Sequence, residues 1–96
     1  MAENQHRLIK GYRELDQVEI DLMNRIKEKG VELAELITDI RAHHLVQRQE
    51  AAHDETGDED GRLDAAEPDR WRNLGRTKLQ EGLMDLTRSV AQPEFF

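Results

Sequence analysis

From Gln17 to about Gln49 the apolar positions recur with helical spacing. Met23, Ile26, Gly30, Leu33, Ile37, Ile40 and His44 advance in steps of three and four, which predicts one continuous seam along a long helix. Leu22, Leu36 and Leu45 widen that seam towards a second face. A single helical hairpin cannot cover both faces, so apolar surface is left for a neighbouring subunit. The start of the helix is also written in the chain. Asp16 stands as N-cap with Glu19 three residues on, the reciprocal pairing of a capping box. Leu15 and Ile20 flank it at the spacing of a hydrophobic staple. Gly30 lies inside the helix, where glycine costs about 1 kcal/mol relative to alanine. It implies close approach of a backbone or ligand, a local break, or a tolerated glycine.

Beyond residue 50 the periodicity stops. Residues 51–68 are rich in acids, with Gly57 and Gly61 among them, and read as a flexible connector whose helical flanks could extend a turn or two inwards. Pro68 suits the first turn of a second helix, and Asp69 suits the positive end of its dipole. Trp71, Gly75, Leu79, Leu83, Leu86 and Val90 then form one stripe, with Gly82 beside it. Pro93 stops this helix and leaves a tail whose Phe95 and Phe96 are expected to tuck against the long helix or a second subunit. The predicted architecture is all-α: a single helical-hairpin domain over residues 1–96, assembled as a homo-oligomer. It divides into an N-terminal segment (1–15), a long helix (16–50), the connector (51–68), a second helix antiparallel to the first (69–92) and a tail (93–96).

Composition narrows the function. Ninety-six residues make at most one domain, and with 36% hydrophobic, 4% aromatic and 36% charged residues the core must be narrow. Cysteine is absent, which removes disulfide and thiolate chemistry. With no signal-peptide apolar stretch and no run of membrane-spanning length, the expectation is a soluble intracellular protein that does not engage a membrane. The net charge of −7 is local. Asp54, Glu55, Asp58, Glu59, Asp60, Asp64, Glu67 and Asp69 stand against Arg62 alone, so the excess acidity sits in and just beyond the connector. The rest of the chain is neutral overall and free to hold an anion.

Two groups of residues suggest such a site. The only tyrosine, Tyr12, lies among Arg7, Lys10 and Arg13, with Lys27 further along the helix. An aromatic face stacks on a nucleobase and neighbouring cations bind phosphate, although a surface tyrosine amid ordinary charges has the same spelling. At the start of the second helix, Arg70, Arg72, Arg76, Thr77 and Lys78 crowd where the dipole disfavours cations, and Arg72 and Arg76 share a face. Either the acids before them or an anionic ligand supplies the reason. Thr56, Asp58, Asp60, Gly61, Leu63 and Glu67 fall at EF-hand loop positions, but threonine opens the loop and Pro68 closes it, so calcium binding is disfavoured. His43, His44 and His53 have no metal-fixing spacing. No nucleophile with an adjacent base and no phosphate-binding glycine loop occurs, so neither enzyme chemistry nor a cofactor is expected.

Arg7-Leu-Ile-Lys-Gly-Tyr-Arg13, followed by Ile20-Asp-Leu-Met-Asn24 and Ile26-Lys27, resembles the phage anti-CBASS protein 2 family. Trp71, Gly75-Arg-Thr77, Leu79-Gln80, Gly82, Leu86-Thr-Arg88 and Ala91-Gln-Pro93 resemble that family's closing helix. The resemblance implies a non-enzymatic sponge that sequesters the cyclic oligonucleotide messengers of bacterial CBASS immunity, in the cytoplasm of the infected host. It implies a homohexamer, a trimer of dimers, with two classes of pocket. One would take cyclic dinucleotides such as 3',3'-cGAMP, with Tyr12 stacking on a base, Lys27 meeting phosphate, and Lys10 and Arg7 nearby. The other would take cyclic trinucleotides such as cyclic triadenylate, through Arg76, Thr77 and Arg72. DNA and RNA polymers are not among the implied partners. A structural protein that oligomerises through its hairpin is the competing reading, and a phosphodiesterase lacks the groups it would need.

Overall fold

The computed structural model describes residues 13–95 and consists of three helices: α1 (Gln17–Ala51), α2 (Asp58–Ala66) and α3 (Pro68–Ala91). α1 and α3 lie side by side as an all-helical, antiparallel hairpin, and α2 folds back against the end of α1.

α1 begins as the capping box requires. The Glu19 amide donates to Asp16 Oδ1 at 2.8 Å, and the Asp16 amide donates to Glu19 Oε1 at 3.0 Å. Two orphan donors of the first turn are thereby satisfied. The helix then runs unbroken for 35 residues, about 52 Å at 1.5 Å per residue. Gly30 does not break it. Leu83 of α3 sits over that glycine, and a β-carbon there would stand 3.4 Å from Leu83 Cδ1. The seam residues Met23, Ile26, Gly30, Leu33, Ile37, Ile40 and His44 are all partly covered, each facing α3 in turn.

The stripe on α3 needs correction. Gly75, Leu83 and Val90 are partly covered, but Trp71 is 59% exposed and Leu86 55%. The face turned to α1 passes through Arg72, Gly75, Leu83, Thr87 and Val90 instead. Trp71 lies to the side with the Arg70 guanidinium 5.0 Å from its ring centroid, a cation–π contact.

The connector also differs from expectation, because residues 58–66 form α2. Asp54 builds its start: Oδ1 accepts from the Thr56 amide at 3.1 Å and Oδ2 from the Glu59 amide at 3.0 Å. Arg48 of α1 holds the helix down through Asp60 at 3.3 Å and Asp64 at 3.0 Å. Leu63 of α2 and Ala51 at the end of α1 are the two buried apolar residues among those described. Glu67, left-handed at φ 49°, ends α2 and starts α3, with Pro68 in the first turn. The EF-hand spacing is therefore wound into a helix rather than a loop. Among the described residues no group of three His, Asp or Glu converges as a metal site would need. No described helix is long and apolar enough to cross a membrane.

The hairpin leaves much apolar surface uncovered: Val31 is 60% exposed, Leu36 53% and Met84 70%. The radius of gyration is 20.8 Å, against about 12 Å for a compact domain of this length. Exposed apolar faces of this extent call for a neighbour. Multi-angle light scattering at micromolar concentration is expected to give a mass well above the 11.2 kDa of one chain. A monomer in that measurement would remove the neighbour.

Candidate functional site

The N-terminal segment meets the end of α3 at Arg13. Its Nε donates to the Ala91 carbonyl at 3.0 Å and its Nη2 to the Val90 carbonyl at 2.8 Å. These carbonyls belong to the last turn of α3, where no helical donor remains and the dipole is negative. Nη1 also donates to Glu19 Oε1 at 3.0 Å, and Nη2 pairs with Oε2 of the same carboxylate. Hydrogen bonding from Arg13, reinforced by the Asp16 amide, lowers the Glu19 pKa to about 2. Arg13 is thus fully engaged within the chain, which removes it from the cations available to a ligand.

Next to this junction runs a groove of about 550 Å³ between the helices. Ile26, Lys27 and Gly30 line it from α1; Leu83, Met84, Thr87, Arg88 and Ala91 line it from α3; Pro93 and Phe95 close its end. Phe95 stands at the end of a groove whose other wall is the long helix and is 42% exposed, whereas Phe96 lies outside the described residues. The walls are apolar and the rim is cationic. Lys27 is exposed and has no ion-pair or hydrogen-bond partner among the described residues. Arg88 donates from Nη2 to the Phe95 carbonyl at 2.7 Å. Such a trough can take a flat ring against its apolar wall while the two cations meet negative charge. Arg88 escaped the reading of periodicity because its role depends on the path of the tail. Its placement four residues after Met84, on the same face of α3, was the available signal.

A smaller groove of about 280 Å³ lies on the other side of the hairpin, lined by Leu22, Arg25, Ile26, Lys29, Leu83, Leu86, Ser89 and Val90. Lys29 there is bonded to Glu32 at 3.2 Å. This groove continues the uncovered apolar flank of α1 and has the character of a protein contact rather than of an anion site.

The cations at the start of α3 divide into two kinds. Arg70 pairs with Glu67 at 3.6 Å. Arg72 donates from Nη1 to Asp69 at 2.8 Å and lies 2.9 Å from His44 Nδ1, which is itself 3.3 Å from Asp69. Its Nε is buried without a hydrogen-bond partner among the described residues. Arg72 thus joins α3 to the far half of α1 and presents little free charge. Arg76 and Lys78 are exposed and have no such partners among the described residues. The Thr77 hydroxyl donates back to the Asn73 carbonyl at 3.1 Å. Arg76 lines a crevice of about 120 Å³ that shares Gly30 and Leu83 with the Lys27 groove. Lys27 and Arg76 accordingly flank one hairpin seam. Tyr12, Lys10 and Arg7 lie outside the described residues.

Residues 4–91 match the family model described as Acb2/Tad1, hairpin domain. The chain is also 42% identical over 107 aligned positions to Anti-CBASS protein 2 of Pseudomonas phage JBD67, covering 96% of this chain and 97% of that protein.

The Arg13–Glu19 pair predicts an acid response. In the unfolded chain Glu19 takes up its proton near its ordinary value of 4.5, whereas in the folded chain it does so only near 2. Across that window the unfolded state binds more protons, so stability falls as pH falls. Melting temperatures recorded from pH 5 to pH 2 are expected to drop less steeply in Glu19→Gln than in wild type. Asp54 and Glu59, also held below their ordinary values, keep part of the slope. Equal slopes in the two proteins would show that the pair does not form.

Proposed function

This chain belongs to the Acb2/Tad1 hairpin-domain family, and we propose on that footing that it is a phage anti-CBASS sponge. It binds cyclic di- and trinucleotide immune messengers and holds them without cleavage, in the cytoplasm of the infected bacterium. The observation that carries this reading is Lys27, without an ion-pair or hydrogen-bond partner among the described residues, on the rim of an apolar groove, in a chain with extensive identity to an anti-CBASS protein. A cyclic dinucleotide such as 3',3'-cGAMP presents two flat bases and two phosphates. Lys27, with Arg88 beside it, supplies charge for a phosphate, and Tyr12 supplies a stacking face. Lys10 and Arg7, which precede Tyr12, add positive charge to that segment.

The two-fold repetition in such a ligand is matched by a two-fold pair of chains, each bringing the same residues. The assembly that fits is a homohexamer built as a trimer of dimers. Its support is the uncovered flank of α1, which one hairpin cannot bury. A cyclic trinucleotide such as cyclic triadenylate would be held where three chains meet, through Arg76 and Thr77. In this arrangement Arg76 is a cation without a partner among the described residues, and Arg72, already bonded to Asp69 and His44, holds the helix that carries it.

Calorimetry on a two-by-two design tests the reading. Stacking on an aromatic residue is worth about 1 to 3 kcal/mol per base. Tyr12→Ala loses it twice in a symmetric site, so 3',3'-cGAMP affinity is expected to fall by roughly two to four orders of magnitude. Lys27→Ala is expected to weaken the same ligand, and wild-type affinity is expected to decline with added salt. Both variants should keep cyclic triadenylate, whereas Arg76→Ala and Thr77→Ala should lose it and keep 3',3'-cGAMP. Equal damage to both ligands by Tyr12→Ala and Arg76→Ala, with the assembly intact, would mean one shared site. A wild-type protein that binds neither ligand would favour the structural, self-associating reading.

A further inference from the structure

We propose that the side of the hairpin opposite Lys27 is a self-docking surface, on which a second copy of the chain lies face to face, α1 of each copy over α3 of the other. This gives the self-association proposed above a definite face, and it rests on that self-association alone, not on the ligand. Two lines of residues make up the face. α1 contributes Val18, Leu22, Arg25, Lys29 and Leu36, and α3 contributes Trp71, Gly75, Gly82, Leu86 and Ser89, each line following the helical repeat. The lines meet at the groove of about 280 Å³, which Leu22, Arg25 and Lys29 line from α1 and Leu86 and Ser89 from α3. Val18, Leu22, Leu36, Trp71 and Leu86 are all exposed in the single chain.

The glycines show that something comes close. A glycine inside a helix is disfavoured relative to alanine, and a close approach of another group is what compensates it. Gly30 has such a neighbour within the chain, Leu83. Gly75 and Gly82 have none, since a β-carbon at either would meet nothing within 4 Å. The group that uses these two flat places therefore comes from outside the hairpin.

Charge identifies it as a second copy. On this side α1 passes from basic Arg25 and Lys29 to acidic Glu32, while α3 passes from Lys78 to Asp85. Arg25, Lys78 and Asp85 have no ion-pair or hydrogen-bond partner among the described residues, and Lys29 and Glu32 share one exposed contact. Gly30 is level with Leu83, and His44 with Arg72, so Lys29 stands nearly level with Asp85 and Glu32 within a turn of Lys78. A two-fold axis running along the hairpin preserves these levels while it sets α1 over the partner's α3. The partner's Asp85 then faces Arg25 and Lys29, and the partner's Lys78 faces Glu32, so unlike charges meet on both flanks of the apolar strip. The groove rimmed by Lys27 and Arg88 lies on the other side and stays open. A trimer of dimers needs more than one kind of contact between copies, and this one forms without ligand.

Multi-angle light scattering of the ligand-free full chain, with circular dichroism to check helix content, tests the face. Gly82→Leu and Leu86→Asp are each expected to lower the mass at equal concentration while helix content is kept. Gly82→Leu is the sharper of the two, because leucine favours the helix and its β-carbon meets no atom of its own chain. Lys29→Asp and Asp85→Lys are each expected to raise the concentration needed for assembly about tenfold, since every pair occurs twice across the axis. The Lys29→Asp/Asp85→Lys double swap should recover most of that loss. Met84→Asp, on the Lys27 side, should keep at least the mass of a pair. A monomeric wild type would overturn the self-association and this face with it. An assembled wild type whose mass is retained by Gly82→Leu or by Leu86→Asp would leave self-association standing and overturn the face. A double swap no better than its parents, or a monomeric Met84→Asp, would do the same.

Discussion

A pair of helices can cover one stripe on each partner and nothing more, and this limit governs the molecule. α1 turns Met23, Ile26, Leu33, Ile37 and Ile40 towards α3, while Val31, Leu36 and Leu45 remain outside. The result is an elongated hairpin, 66 Å in its longest dimension, in which Ala51 and Leu63 alone among the described residues are buried. The narrow seam also creates the grooves. Where Leu83 drops onto Gly30, the flanking side chains diverge and leave the trough that Lys27 and Arg88 rim. The same shortage of burial that exposes apolar flanks provides the concave surface on which a flat anionic ligand can rest.

Much of this arrangement is legible in the residues. The seam of α1 follows from three-and-four spacing, and its start follows from Asp16 and Glu19, since both depend on neighbours within a few positions. Trp71 and Leu86 were harder to place. They lie at the margin of a broad apolar stripe, and spacing alone does not say which margin a single partner helix will cover. α2 was illegible for a different reason. Its bonds are polar and partly distant: Asp54 caps it from the preceding turn, and Arg48 holds Asp60 and Asp64 from α1. An acidic stretch with two glycines carries no periodic signal for contacts of that kind.

The site divides along the same line. Lys27 can be singled out from sequence and lies on the groove. Arg13, one more cation beside Tyr12 in the sequence, is bound in the fold to Glu19 and to the end of α3. Arg72 is likewise taken up by Asp69 and His44, whereas Arg76, on the crevice beside Gly30 and Leu83, has no partner among the described residues. In each case the sequence shows that a charge is present, and only the fold shows whether another charge already holds it. Arg88 enters the site through the tail, whose carbonyl at Phe95 it grips.

Sequestration differs from destruction in what is left afterwards, and that difference gives the most direct measurement of the central claim. Protein in excess over 3',3'-cGAMP is incubated until free messenger is gone, then denatured by heat, and the supernatant is resolved by chromatography and mass spectrometry. A sponge returns the input cyclic dinucleotide intact and in full. Recovery of a linear dinucleotide or of mononucleotides would contradict the account, as would messenger that was never depleted before heating.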